Sequence, residues 1–286
     1  MASGDYSMSY EEPLSNHTIA ISISESPDMA VLGLSKEHLD DAMAEVARYL
    51  LSMGARLLYG GDLRSGGFTE VLFELVARHR RDADLGDGRV GVSNYLAWPV
   101  HISLPAEEVK RLSEAIKGVA ELAFLTADGK VMSADERQRL APRQATDVEW
   151  IEGLTAMRNM VTRMSHARII LGGRVEGYKG RMPGVAEEAL TALQASKPLF
   201  LLGGFGGCAR DIAEDLSLAP AWPVPRPIWR NRSDFASFTA DALHNGLTAK
   251  ENATLATTVH IDQAITLILR GLLRNNGDSQ SATVED

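Results

Sequence analysis

The chain has 286 residues, 45% of them apolar and 23% charged, a composition that bounds it to one large or two small globular domains. No stretch approaches the roughly 18 consecutive apolar residues that span a bilayer, and the single cysteine, Cys208, excludes an internal disulfide and a four-cysteine zinc site. A net charge of −9, from 38 acids against 29 bases, argues against a surface that grips duplex DNA and suits a small basic pocket for a phosphorylated small molecule.

Residues 1–14 mix Ser, Gly, Glu, Tyr and Pro without periodicity. They lack the basic-then-apolar order of a secretory signal and read as a mobile leader expected to add little to the core. A cytoplasmic location fits this and the lone thiol. In residues 18–24, Ile19, Ile21 and Ile23 alternate with small residues, which predicts a strand. Leu39, Met43, Val46 and Leu50 then form the stripe of a helix that Ser35 can cap. Residues 55–59 predict a second strand stopped by Gly60-Gly61, and residues 69–79 a second helix with Leu72, Leu75 and Val76 inward. Further strands are expected at 89–95, 120–125, 169–171 and 197–202. Further helices are expected at 105–117, 147–165, 185–195 and 208–215, the second with Leu154, Met157, Val161 and Met164 on one face. Residues 128–146 read as a loop or short irregular helix. Residues 220–227, with four prolines and Trp222, read as a stiff surface connection. Helical patterning at 233–243 and 257–272 is expected to pack on the sheet edge, and residues 275–286 form a polar tail.

Strands alternating with helices predict an α/β fold: a Rossmann-like, doubly wound, mainly parallel sheet with C-terminal helical additions. No linker interrupts the pattern, so residues 15–274 read as one domain.

Paired glycines end three of the strands: Gly60-Gly61, Gly172-Gly173 and Gly203-Gly204. Ligands of a parallel sheet lie outside the carboxyl ends of its strands. The helix after each turn offers free N–H groups and a positive dipole end to phosphate. The segment from Gly172 to Glu188 places Arg174, Lys179 and Arg181 among the glycines 172, 173, 177, 180 and 184. Arginine grips phosphate with a two-pronged fork, and lysine supplies a point charge. A carboxylate such as Glu188 can bind ribose hydroxyls. Ser24 ends the first strand and belongs to the same rim. Asp62, Arg64, Gly66 and Gly67 read either as a second wall of the pocket or as an exposed loop.

Met157-Arg158, the strand Ile169-Ile170-Leu171, Gly172-Gly173-Arg174, Pro183-Gly184, Glu187-Glu188 and the run from Lys197 to Gly207 together resemble the SLOG superfamily. That group includes the LOG phosphoribohydrolases of cytokinin activation, DprA-like proteins and the ligand-binding domain of TRPM channels. The likeness covers about residues 18–272 and is greatest to bacterial SLOG families associated with TIR and sirtuin domains in phage defence. Arg158 stands near the basic pair of LOG enzymes and Glu188 at their glutamate, so the resemblance implies these two as catalytic residues if the chain is an enzyme. Val185 replaces the LOG threonine, and the Gly172–Gly180 loop is longer than the compact LOG glycine pair. The longer loop with Arg174 looks like the sensor members, which bind NAD-derived nucleotides.

The resemblance implies a sensor of an NAD- or ADP-ribose-like signal in antiphage defence, working with a TIR or other effector and as a homo-oligomer. The alternative is a LOG-like nucleotide N-glycosidase. The expected ligand-binding set is Ser24, Gly60, Gly61, Asp62, Arg64, Gly172, Gly173, Arg174, Gly177, Lys179, Gly184, Glu188, Gly203 and Gly204. No cofactor beyond the nucleotide is expected. The seven histidines are scattered without metal-ligand spacing, and neither a G-x-S-x-G elbow nor a P-loop sequence occurs.

Overall fold

The computed structural model describes residues 12–61, 67–82, 91–118, 120–222 and 226–281. The first half runs β1 (Thr18–Ser24), α1 (Lys36–Ser52), β2 (Arg56–Tyr59), α2 (Phe68–Asp82), β3 (Val92–Leu96), α3 (Trp98–His101), α4 (Ala106–Ala115), β4 (Ala120–Leu125) and β5 (Val131–Met132). The second half runs α5 (Ala134–Gln138), α6 (Asp147–Met164), β6 (Ala167–Gly172), α7 (Gly184–Gln194), β7 (Leu199–Leu202), α8 (Gly207–Asp215), α9 (Ala249–Thr257) and α10 (Ile261–Ser281). The strands make one seven-stranded sheet in the order β5-β4-β3-β2-β1-β6-β7. Every pairing is parallel except β4 with β5.

The two-residue period of β1 explains both faces. Ile19, Ile21 and Ile23 join Leu39, Met43, Val46 and Leu50 of α1 and Ala264, Ile265 and Ile268 of α10 in one core. Each of the larger side chains among them contributes about 1.5–3 kcal/mol by leaving water. On the opposite face Ala20 meets Met157 and Val161 of α6, while Ile170, Leu199 and Leu201 meet α7 and α8. The chain leaves β1 toward β2, β3 and β4 and returns to β6 on the other side. The order therefore reverses at β1, and a crevice opens there beyond the carboxyl ends of β1, β2 and β6.

Several sequence expectations are corrected. Leu14 is fully buried and its N–H donates to the Met53 carbonyl at 2.8 Å, so the leader does reach the core. The tail expected from residue 275 is helical to Ser281, where Asn275 donates to the His244 carbonyl at 3.0 Å. Residues 128–146 hold an antiparallel edge strand, with Phe124 opposite Met132, and the short helix α5, whose Ser133 caps the Glu136 N–H. Residues 233–243 form two 3-10 segments, Arg232–Ser237 and Ala240–Leu243. The helix expected over 257–272 is α10, which starts at Ile261, and α9, which was not expected, precedes it; α10 lies on the sheet face beside α1, because its stripe of Ala264, Ile265, Ile268 and Leu272 is apolar enough to join that core. Met164 is exposed: in α6 the inward positions are Met157, Arg158, Val161 and Thr162. Beyond these corrections, Trp229 is buried and its indole N–H donates to Asp211 at 2.8 Å.

Among the described residues no helix is long and apolar enough to cross a membrane.

Candidate ligand-binding site

A cavity of about 300 Å³ occupies the switch point, walled by the ends of β1 and β2, the first residues after β6 and the N-termini of α1, α2 and α7. The side chains and backbone that line it include Ser24, Glu25, Lys36, Gly60, Gly61, Arg158, Arg174, Gly184 and Glu188. Each helix N-terminus carries N–H groups without intrahelical partners and a partial positive charge. Three of them around one space make a setting that favours an anion.

The rim is set by Ser24. Its carbonyl accepts the Gly173 N–H at 3.0 Å and its hydroxyl accepts the Arg174 N–H at 2.9 Å. Arg174 extends from this pinned backbone and donates to Glu25 at 2.7 Å. Gly60 is glycine for want of space: a Cβ there would collide with the Met157 thioether. Gly173, at φ +111°, is glycine for conformation as well, and a Cβ would strike the Cys208 sulfur.

The floor is a chain of alternating buried charges. Glu187 accepts from Arg158, from Arg181 at 3.1 Å and from the Thr155 hydroxyl. Arg158 lies 3.8 Å from one oxygen of Glu188. Arg168 donates to the other at 3.1 Å, and also to Ser22 at 2.6 Å and Thr162 at 3.2 Å. Burial pulls the Arg168 guanidinium below its ordinary range and the Glu188 carboxylate opposes this. The small residues of β1 make the arrangement feasible, since Ser22 leaves room on the sheet face for a long side chain from β6.

Of the residues expected to bind ligand, Ser24, Gly60, Gly61, Arg174, Gly184 and Glu188 converge on the cavity, as does Arg158, expected as catalytic. Gly67, weighed as a second wall, lines it too. Asp62 and Arg64 lie outside the described residues.

The remaining expected residues do other work. Gly172 and Gly173 form a backbone bed for α8: the Cys208 N–H donates to the Gly173 carbonyl at 3.0 Å. Gly203 and Gly204 pack against the Ala256 and Thr258 carbonyls, away from the cavity. Lys179 lies 3.6 Å over the Trp150 ring, and a side chain at Gly177 would meet open space. The helix N-terminus after the third glycine turn already holds an anion. Asp28 accepts the Gly207 N–H at 2.6 Å and is paired with Arg226 at 2.9 Å. Cys208 is fully buried, and burial pushes its thiol up from its ordinary value, the reverse of an activated cysteine.

Sequence reasoning missed Lys36, Phe68, Glu25 and Arg168. The first two open helices at the strand ends, so the rule that singled out the glycine turns also marks them. Arg168 leaves no such mark, because its charged partner Glu188 and its partner Ser22 are 20 and 146 residues away.

A doubly wound, mainly parallel sheet with a polar cavity at its point of reversal defines a Rossmann-like α/β protein. The chain belongs to the SLOG cluster2 family, whose model matches residues 13–277, and with it to the SLOG superfamily. This membership carries a nucleotide-related role, in binding or in processing. No curated protein matches the chain.

Proposed function

We propose that the chain binds an anionic, nucleotide-derived ligand of the NAD or ADP-ribose kind and acts as a sensor. The observation that carries this reading is the pairing of both carboxylates that line the cavity among the described residues. Glu188 faces Arg168 and Arg158, and Glu25 is bound to Arg174. Cleavage of an N-glycosidic bond calls for a group placed to exchange a proton or attack the sugar. A carboxylate held between two buried guanidiniums is instead a fixed acceptor for the hydroxyls of a sugar. The ribose then lies over Glu188 and the phosphates toward Arg174, Lys36 and the helix N-termini. The likeness to SLOG families of phage defence extends the proposal to a cytoplasmic sensor, a homo-oligomer, that engages a separate effector such as a TIR protein.

One observation favours the enzymatic alternative: Arg158 and Glu188, at the places of the LOG catalytic residues, stand side by side on the cavity wall. Incubation with NAD, ATP, AMP and ADP-ribose, followed by calorimetry and chromatography of released base, separates the two. The sensor reading expects binding with no base released. Base release that disappears in Glu188→Gln contradicts it and establishes an N-glycosidase.

A further inference from the structure

We infer that Glu25 is a built-in competitor for the ligand's phosphate, and that it sets the affinity and the charge selectivity of the cavity. This rests on the reading of the cavity as an anionic nucleotide site.

Among the described residues three cationic side chains line the space, and they differ in what holds them. Arg158 is committed to Glu187, whose side chain is 1% exposed. A ligand that drew Arg158 away would weaken the pairing of a buried carboxylate, which is strongly unfavourable. Lys36 is paired along its own helix with Asp40 at 2.6 Å. Arg174 is held by Glu25 alone among the described carboxylates, through one pair at 2.7 Å whose side chains are 41% and 58% exposed. Exposed pairs of this kind are worth little net stability, so a ligand exchanges this pairing at little cost.

The geometry suits exchange. Glu25 comes from the turn after β1 and Arg174 from the turn after β6, so their pair crosses the mouth of the crevice between the two strands. The Arg174 N–H is fixed by Ser24, which lets the guanidinium turn toward a ligand without moving its backbone. Displacing Glu25 leaves a free carboxylate in water, where it is well solvated.

Charge selectivity follows. A ligand with one carboxylate trades like for like and gains nothing from Arg174. A diphosphate offers more charge and a fork-matched set of oxygens, and it wins the exchange. Glu25 also repels any anion that enters without engaging Arg174.

Calorimetric titration of the full chain with ADP-ribose and with adenosine tests this in the parent, Glu25→Gln and Glu25→Ala. Removal of the competing carboxylate is expected to tighten ADP-ribose binding about two- to fivefold, the span of an exposed ion pair. Adenosine affinity stays unchanged, and the gain shrinks as salt is raised. Unchanged or weaker ADP-ribose binding in both variants overturns the role of Glu25 while leaving the site in place. An equal gain for adenosine overturns it too, since the effect is then one of shape. Absence of ADP-ribose binding in the parent and both variants overturns the site reading, and this inference with it.

Discussion

Arg168 occupies a position on a central strand, facing a covering helix, where an aliphatic side chain is the usual solution. Its charge is tolerated because Glu188, Ser22 and Thr162 all accept from it. Removing one partner of such a buried pair leaves the other uncompensated, at a cost of about 3–5 kcal/mol. Arg168→Leu is therefore expected to lower stability by that order in urea denaturation. Arg168→Leu combined with Glu188→Leu should recover part of the loss, whereas simple addition of the two single effects contradicts the coupling. His101 is a second buried group with a measurable signature. Burial lowers its pKa to about 4, against an ordinary 6.5, and its Nε2 donates to the Leu125 carbonyl at 2.8 Å. Between these two values the unfolded chain binds the proton that the folded chain refuses, so stability rises with pH across the window and falls as pH drops through it. The loss on going from pH 6.5 to 4 is on the order of 3 kcal/mol. His101→Gln is expected to flatten this part of the stability profile, and an unaltered slope contradicts the assignment.

Helix α6 shows how a pattern of apolar residues yields the element but shifts its face. Leu154, Met157, Val161 and Met164 keep a helical spacing, yet the buried surface is rotated so that Arg158 and Thr162 point inward and Met164 outward. Polar residues with buried partners cannot be told from solvent-facing ones by periodicity alone. Met157→Ala is expected to cost about 2–5 kcal/mol, the range for a buried methionine, and Met164→Ala to stay within about 0.5 kcal/mol, as at ordinary surface sites. Equal costs for the two would place the helix in the wrong rotation. The chain ends make the same point. Leu14 looks like part of a polar leader, but a single apolar side chain suffices to seal the base of the core beneath α1 and the start of β1. Leu14→Ala should lower stability by about 2–5 kcal/mol in denaturant unfolding, and a neutral outcome would restore the picture of an uninvolved leader. The Pro13 carbonyl also lies 3.5 Å from the Asn276 side chain, so the two presumed tails meet.

For the molecule as a whole, the alternation of strand and helix patterns was sufficient for the doubly wound sheet, because each β-α unit buries an apolar stripe that is visible locally. The two-residue edge strand β5 was not, since its length carries no period. In the site, Gly60, Gly61 and Arg174 were legible through the geometry of parallel sheets. The Arg158–Glu187 and Arg168–Glu188 pairs were not, because they join residues from different elements. The third glycine turn shows the limit of the rule, for Asp28 supplies from within the chain the anion that the helix N-terminus attracts. On the function proposed above, the crevice at the reversal of strand order holds an anionic nucleotide through Arg174. Titration calorimetry of ADP-ribose against the parent and Arg174→Ala measures it directly. Binding to the variant is expected to be at least about tenfold weaker, corresponding to the loss of a hydrogen bond to a charged group of about 1.5 kcal/mol or more, with an unchanged thermal transition. Equal affinity of parent and variant for ADP-ribose and for every other anionic nucleotide that the parent binds would contradict it.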